Sequence, residues 1–295
     1  MEGLIQNIVD AASLGSLYAL LALGIALIYG IMGLINFAHG ELIMIGAYAL
    51  YLFSGVPILV AIVGATLAVV IAALLMERVA FRPVRGADPA TLLVTSFAVS
   101  YLLSNLALLI FGARGKGVNI LPSLSDFFTI GDIRFGKLSV VLIITTIILL
   151  VGLALFLKRT RVGLQMRAAA ENFEIARLMG VRADVVIATA FLLSGLLAAT
   201  ASIFLVAQGG TVSPTIGLAP VIIAFIATVI GGLHSLVGAA IGGFLLGALT
   251  ILLQAWLPEG LLEYRDSFVY GIVILILLFR PQGIVVAKSL RERVG

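Results

Sequence analysis

The sequence predicts an all-α polytopic membrane protein with about nine transmembrane helices, and two features of its composition carry that expectation. Hydrophobic residues make up 62% of the 295-residue chain and charged residues only 11%, against roughly 25% charged residues in an ordinary soluble domain. Its mean hydropathy is +1.25. The 32 glycines agree, because small residues let membrane helices bring their backbones close together. The chain has no cysteine, which excludes disulfides, thiol catalysis and cysteine-ligated metals. Its formal charge of +4 needs no nucleic acid, since basic residues gather in the loops on one side of a bilayer.

A helix crosses a bilayer with about 20 apolar residues. Spans are expected near residues 8–30, 42–53, 58–76, 91–111, 138–157, 185–206, 218–230, 237–256 and 268–279. The second, seventh and ninth are short, which leaves room for broken or re-entrant segments and a count between eight and ten. The first ten residues hold Glu2 and Asp10 but no Lys or Arg. They lack the basic start of a signal peptide, so the first helix is expected to be retained.

The charges orient these spans. Arg78, Arg82, Arg85, Lys158, Arg159, Arg161, Arg167, Arg177, Arg182, Arg280, Lys288, Arg291 and Arg293 fall on one side, and Arg114, Lys116, Arg134, Lys137 and Arg265 on the other. The positive-inside rule places the larger group in the cytoplasm, with the N-terminus outside and the C-terminus cytoplasmic. An odd number of spans follows.

No soluble domain interrupts the chain, so residues 1–295 read as one transmembrane domain with an external loop at 112–137 and a cytoplasmic loop at 158–184. In the external loop, residues 127–135 (FFTIGDIRF) place two β-prone runs around Gly131 and Asp132, the pattern of a hairpin. It serves either as a cap over helix ends or as a docking surface for an external partner. In the cytoplasmic loop, residues 167–180 (RAAAENFEIARLMG) form a polar, helix-forming island. The small residues Ala168, Ala169, Ala170 and Ala176 let a short helix sink into a groove, and Gly180 can end it in a left-handed conformation. Ile175, Leu178 and Met179 add an apolar stripe. Two readings fit: a handle for a soluble partner, or an amphipathic helix lying on the membrane.

Residues 33–48 (GLINFAHGELIMIGAY) put Asn36, His39 and Glu41 at or near the membrane. Ionisable groups are costly there, which makes them candidates for function. Gly30, Gly33 and Gly40 suggest a break in the backbone, tolerated where it lines a cavity or is buried in protein. Asn36, His39, Gly40 and Glu41 are therefore candidates for a pathway or gate. The competing reading is a hydrogen-bonded knot that holds two helices in register, with Glu41 capping the short second span. His234, in a tight turn between spans, reads as structural. Gly238 with Gly242, and Gly243 with Gly247, make GxxxG pairs for close helix packing, within the chain or across a subunit interface.

Two motif echoes are set aside. Residues 283–289 (GIVVAKS) echo a Walker A loop but start too late and have Ala287 where the second glycine belongs, and residues 112–117 lack the Ser or Thr. No HExxH, GxSxG or metal-spaced His/Asp set occurs, and there are only two histidines. Neither an enzymatic activity nor a cofactor is expected for this chain.

Residues 174–180 (EIARLMG) are similar to the Glu-Ala-Ala-x-x-x-Gly coupling motif of ABC-importer permeases, with Ile175 in place of the middle Ala. Residues 33–48 closely resemble the first-third signature of the branched-chain amino-acid ABC permeases, of the LivH type rather than its LivM-type partner. Residues 229–243 (VIGGLHSLVGAAIGG) and 280–284 (RPQGI) agree in the expected order, so the resemblance runs over nearly the whole chain. It implies the permease subunit of an ABC importer in a bacterial-type plasma (inner) membrane. The implied partners are two ABC ATPase subunits that bind ATP, a second related permease, and an external or periplasmic solute-binding protein. Ala170, Glu171, Glu174, Ala176, Arg177 and Gly180 then form the ATPase coupling segment. The implied solute is a branched-chain amino acid, although relatives are associated with other amino acids, urea and short amides. A self-sufficient secondary transporter or channel is the alternative, and against it stands the scarcity of acidic residues in the spans, where only Glu41 falls. A membrane scaffold without transport would predict no effect of the coupling helix on any ATPase.

Overall fold

A computed structural model describes residues 2–124, 126–130 and 133–285. In chain order its helices are α1 (Glu2–Met32), α2 (His39–Leu52), α3 (Ile58–Met76), α4 (Pro89–Phe111), α5 (Lys137–Arg159), α6 (Arg161–Glu171), α7 (Phe173–Leu178), α8 (Ala183–Gly209), α9 (Leu218–Gly231), α10 (Leu236–Trp256) and α11 (Arg265–Phe279). Six of them, α1, α3, α4, α5, α8 and α10, are long and apolar enough to cross a membrane. The three short spans read from the sequence are short here too, at 14 residues in α2, 14 in α9 and 15 in α11. Helix α1 starts well before residue 8, and α3 continues through a π-turn and a 3-10 turn to Val84.

Capping residues explain where the polar loop bends. The Thr160 side chain accepts from the Gly163 amide at 2.9 Å and starts α6, and Asn172 accepts from the Ile175 amide at 3.0 Å and starts α7. Ser235 does the same for α10, accepting from the Gly238 amide at 3.0 Å. Gly163 lets α6 fold tightly against α5, since a Cβ there would sit 2.4 Å from the Phe156 carbonyl oxygen.

Helices α1 and α8 form the centre. In the most apolar stretch of each, 78% and 61% of residues are buried, against 22%, 11% and 17% for α3, α4 and α5. The main core joins Leu20, Leu23, Ile25 and Ile28 of α1 to Leu42 and Ile43 of α2 and Phe191 of α8. Helix α10 packs along α1 and α9 through its glycines. A Cβ on Gly243 would lie 2.4 Å from the Ala19 nitrogen and one on Gly247 2.4 Å from Gly15, both in α1, while one on Gly242 would lie 2.0 Å from the Ala227 oxygen of α9. The two GxxxG pairs therefore pack inside the chain, Gly238 and Gly242 on α9 and Gly243 and Gly247 on α1. Thr228 sits at the same junction, its hydroxyl 2.7 Å from the Ala224 carbonyl of its own helix and 3.1 Å from the Ala22 carbonyl of α1.

The loop at residues 112–137 holds the expected hairpin. Strands β2 (Phe127–Ile130) and β3 (Ile133–Gly136) pair antiparallel, with Phe128 stacked on Phe135 at 5.4 Å. The turn residues Gly131 and Asp132 lie outside the described residues. A second pairing has no clear sequence signal: β1 (Lys116–Gly117) pairs with β4 (Thr211–Val212) and ties the loop to the end of α8. At the other end, the Ile284 and Val285 amides donate to the Ile230 and Gly231 carbonyls at 2.8 and 3.1 Å. The RPQGI segment thus satisfies the last carbonyls of α9. Lys288, Arg291 and Arg293, and the end of the Walker-like echo, lie outside the described residues.

Candidate functional site

Between α1 and α2 the chain leaves helical form inside the bundle. Gly33 adopts φ +64° and turns the backbone after Met32, whereas Gly30 and Gly40 remain within α1 and α2. Asn36 stabilises the turn: its Oδ1 accepts from the Ala38 amide at 3.1 Å, and its Nδ2 lies 3.8 Å from the Met76 sulfur. Asn36 and His39 are fully buried, and Glu41 is 6% exposed.

The partners of these side chains fix the depth of the segment. The Ser100 hydroxyl donates to Glu41 Oε1 at 2.8 Å, and Ser194 Oγ lies 3.1 Å from His39 Nδ1. Ser100 is eleven residues into α4 and Ser194 eleven into α8, about 16 Å along each helix at 1.5 Å per residue. That is roughly half of a 30 Å hydrocarbon core. Ser194 spends its single proton on the Gly24 carbonyl at 2.9 Å, so His39 Nδ1 carries a proton and donates to Ser194. Among the described residues, His39 Nε2 and Glu41 Oε2 have no partner.

A second element meets this one end to end. A Cβ on Gly217 would sit 1.9 Å from the Gly40 oxygen, and one on Gly40 2.6 Å from the Gly217 oxygen. The two glycines therefore allow the N-terminal ends of α2 and α9 to touch. Phe37 stacks on Phe97 of α4 at 4.5 Å and tilts against Phe225 of α9 at 5.8 Å. The pathway candidates Asn36, His39, Gly40 and Glu41 are thus brought together at one depth. Asn36 and the Nδ1 side of His39 are taken up by hydrogen bonds within the chain, while Glu41 keeps one carboxylate oxygen without a partner among the described residues. Ser100, Ser194, Gly217 and the three phenylalanines were not singled out from the sequence, because a hydroxyl, glycine or aromatic residue in an apolar run does not announce its partner. His234 stands apart from them, edge-on to Tyr29 at 5.3 Å.

The coupling candidates lie on α6 and α7. Helix α7 ends in a Schellman arrangement: the Gly180 amide donates to the Arg177 carbonyl and the Val181 amide to the Ala176 carbonyl, both at 3.0 Å, with Gly180 at φ +86°. Gly180 therefore has the left-handed conformation expected of it. Ala169 and Ala176 sink into a groove, and that groove belongs to the chain's own core. Ala170, Glu171, Glu174 and Arg177 are exposed. So is the apolar stripe, with Ile175 57%, Leu178 86% and Met179 81% exposed.

An ionic cluster beside this segment was legible only as positive charge. Asp184, at the start of α8, accepts from Arg82 at 2.6 Å and from Arg85, and Arg85 also pairs with the buried Glu77. It ties the π-turn at Glu77–Phe81 to the helix that follows α7.

The family described as branched-chain amino acid transport system / permease component matches residues 7–278. The chain belongs to this family. It is 34% identical over 294 residues to the high-affinity branched-chain amino acid transport system permease protein BraD of Pseudomonas aeruginosa, covering 95% of each chain. It is 35% identical over 297 residues to LivH of Escherichia coli K12, covering 95% of this chain and 94% of that one. A partial likeness, 31% identity over 140 residues, covers 45% of this chain and 38% of the autoinducer 2 import system permease protein LsrC of Yersinia enterocolitica. No solved structure matches.

Proposed function

We propose that this chain is the membrane-spanning permease subunit of an ABC importer for branched-chain or closely related amino acids. The match of residues 7–278 to the permease family carries this reading, and the geometry supports it. A free carboxylate oxygen on Glu41 suits an ammonium group, and the Phe37, Phe97 and Phe225 rings beside it suit an aliphatic side chain. Asn36, His39, Gly40 and Glu41 line or gate the pathway. The segment containing Ala170, Glu171, Glu174, Ala176, Arg177 and Gly180 receives the motion of two ABC ATPase subunits, which bind the ATP, through the exposed Ile175, Leu178 and Met179. A second related permease and an external solute-binding protein complete the assembly in a bacterial-type inner membrane. In this reading α2, α9 and α11 join the six long helices to give nine membrane segments, with the N-terminus outside and the C-terminus cytoplasmic.

Two measurements test it. Vesicles containing the assembled transporter should accumulate leucine only with ATP inside and binding protein outside, and uptake that ignores ATP would overturn the ABC reading. Because the chain has no cysteine, single cysteines at Ser125 and Asn172 should react with an impermeant thiol reagent from opposite sides. Labelling of both from outside would reject the orientation.

A further inference from the structure

A cleft of about 380 Å³ lies between α1, α5, α6 and the start of α10, apart from the Glu41 region. Leu23, Leu27 and Ile31 of α1 form its buried back wall, Leu150 and Leu153 of α5 line one side, and Ser235 and Val237 line the other. Its walls are apolar and one end is basic. Lys158 at the end of α5, Arg167 on α6 and His234 just before α10 all line it, so three separate elements bring these groups together. Among the described residues neither Lys158 nor Arg167 pairs with a carboxylate, and no aspartate or glutamate lines the cleft. The start of α10 adds the positive end of its helix dipole.

Depth and volume select the occupant. Leu150 lies eight residues before Lys158 and Leu23 eight before Ile31, so the apolar walls run about 12 Å inward at 1.5 Å per residue. One leaflet of a bilayer has a hydrocarbon depth of about 15 Å. A further helix does not fit: at about 10 Å across, a 12 Å length of it displaces roughly 900 Å³, more than twice the cleft. A zwitterionic amino acid would satisfy Lys158 and Arg167 but leave its own ammonium group without a carboxylate. An anion carrying a long apolar tail satisfies both the basic end and the walls.

We infer that this cleft holds one anionic glycerophospholipid, with its phosphate among Lys158, Arg167 and His234 and an acyl chain against Leu23, Leu27 and Leu153. Basic pockets between membrane helices favour such headgroups. Because Met166, Arg167 and Ala170 of α6 also line the cleft, the lipid ties the polar loop to α1 and α5. The site requires only that the chain lie in a membrane, whatever it transports.

The test is native mass spectrometry of the full-length chain, stripped of lipid in mild detergent and titrated with phosphatidylglycerol or phosphatidylcholine. Phosphatidylglycerol should bind about 30-fold more tightly, from about 1 kcal/mol for each of two basic residues at 1.4 kcal/mol per factor of ten. Lys158→Gln combined with Arg167→Gln, both at exposed positions, should abolish that preference. Arg114→Gln combined with Lys116→Gln, outside the cleft, should retain it. Ala154→Trp fills the cleft from α5 and should weaken both lipids, which keeps the test decisive if the charge variant fails to insert. Equal affinity for the two lipids, or a preference that survives Lys158→Gln with Arg167→Gln, overturns the site. Displacement of phosphatidylglycerol by an equal concentration of inorganic phosphate or of oleate overturns the phospholipid as its occupant.

Discussion

Replacing Gly243 with Ala tests the packing of α10 on α1 with one methyl group. The added Cβ would meet Ala19 N at 2.4 Å, Ala19 Cα at 2.5 Å and Tyr18 C at 2.7 Å. All three are backbone atoms and cannot rotate away. Ordinary contact needs about 3.5 Å or more, so the helices must part by roughly 1 Å near the most buried helix of the chain. Overpacking of this kind costs about 1–3 kcal/mol. Gly152→Ala is the matched control, because a Cβ on that glycine in α5 meets nothing within 4 Å and Ala gains roughly 0.5–1 kcal/mol over Gly inside a helix. The two variants should therefore move in opposite directions. At about 2–4 °C per kcal/mol, thermal unfolding of the purified chain in mild detergent should show Gly243→Ala melting several degrees below the parent and Gly152→Ala level with or above it. If Gly243→Ala melts as high as Gly152→Ala, the close approach of α1 and α10 is wrong.

Two further outcomes follow from the site. Glu41→Gln keeps an oxygen for the Ser100 hydroxyl and should fold normally with reduced leucine uptake, while Glu41→Ala leaves the part-buried Ser100 hydroxyl without its acceptor at about 1 kcal/mol and should lower both stability and uptake; parental uptake in both variants would remove Glu41 from the pathway. On α7, Leu178→Asp should release the ATPases in a pull-down without lowering the melting temperature, because Leu178 is 86% exposed. By contrast, Gly180→Val forces a β-branched residue to φ +86° at roughly 1–3 kcal/mol and should loosen the helix itself; ATPases retained by both variants would refute the coupling role.

The sequence was most legible where a residue type has one local use. Gly180 reads as a helix end because few other residues accept its backbone angle, whereas the caps at Asn172 and Thr160, equally local, were not read from the sequence. The hairpin at residues 127–135 is equally local. Ala176 was harder, since a small residue reveals that something packs closely but not what. The groove proved to be the chain's own, which moves the exposed contact to Ile175, Leu178 and Met179. The GxxxG pairs carried the same ambiguity, resolved only when Gly243 and Gly247 were seen against Ala19 and Gly15.

Depth was the quantity the sequence could not supply. Hydropathy counts how many apolar residues run together, so the shortness of α2 and α9 was visible, yet nothing in either run shows that both begin halfway into the bundle and meet at Gly40 and Gly217. That meeting depends on residues 177 positions apart. The polarity of α4 shows the converse. Its threonines, serines and Tyr101 are plain in the sequence, where they are ordinary for a helix buried in protein, as α1 and α8 are. Beside the burial they show how a polar, unburied helix satisfies itself within the chain: Thr95 donates to the Thr91 carbonyl and Asn105 to the Tyr101 carbonyl, both at 2.7 Å, and Ser104 to the Pro214 carbonyl at 3.4 Å.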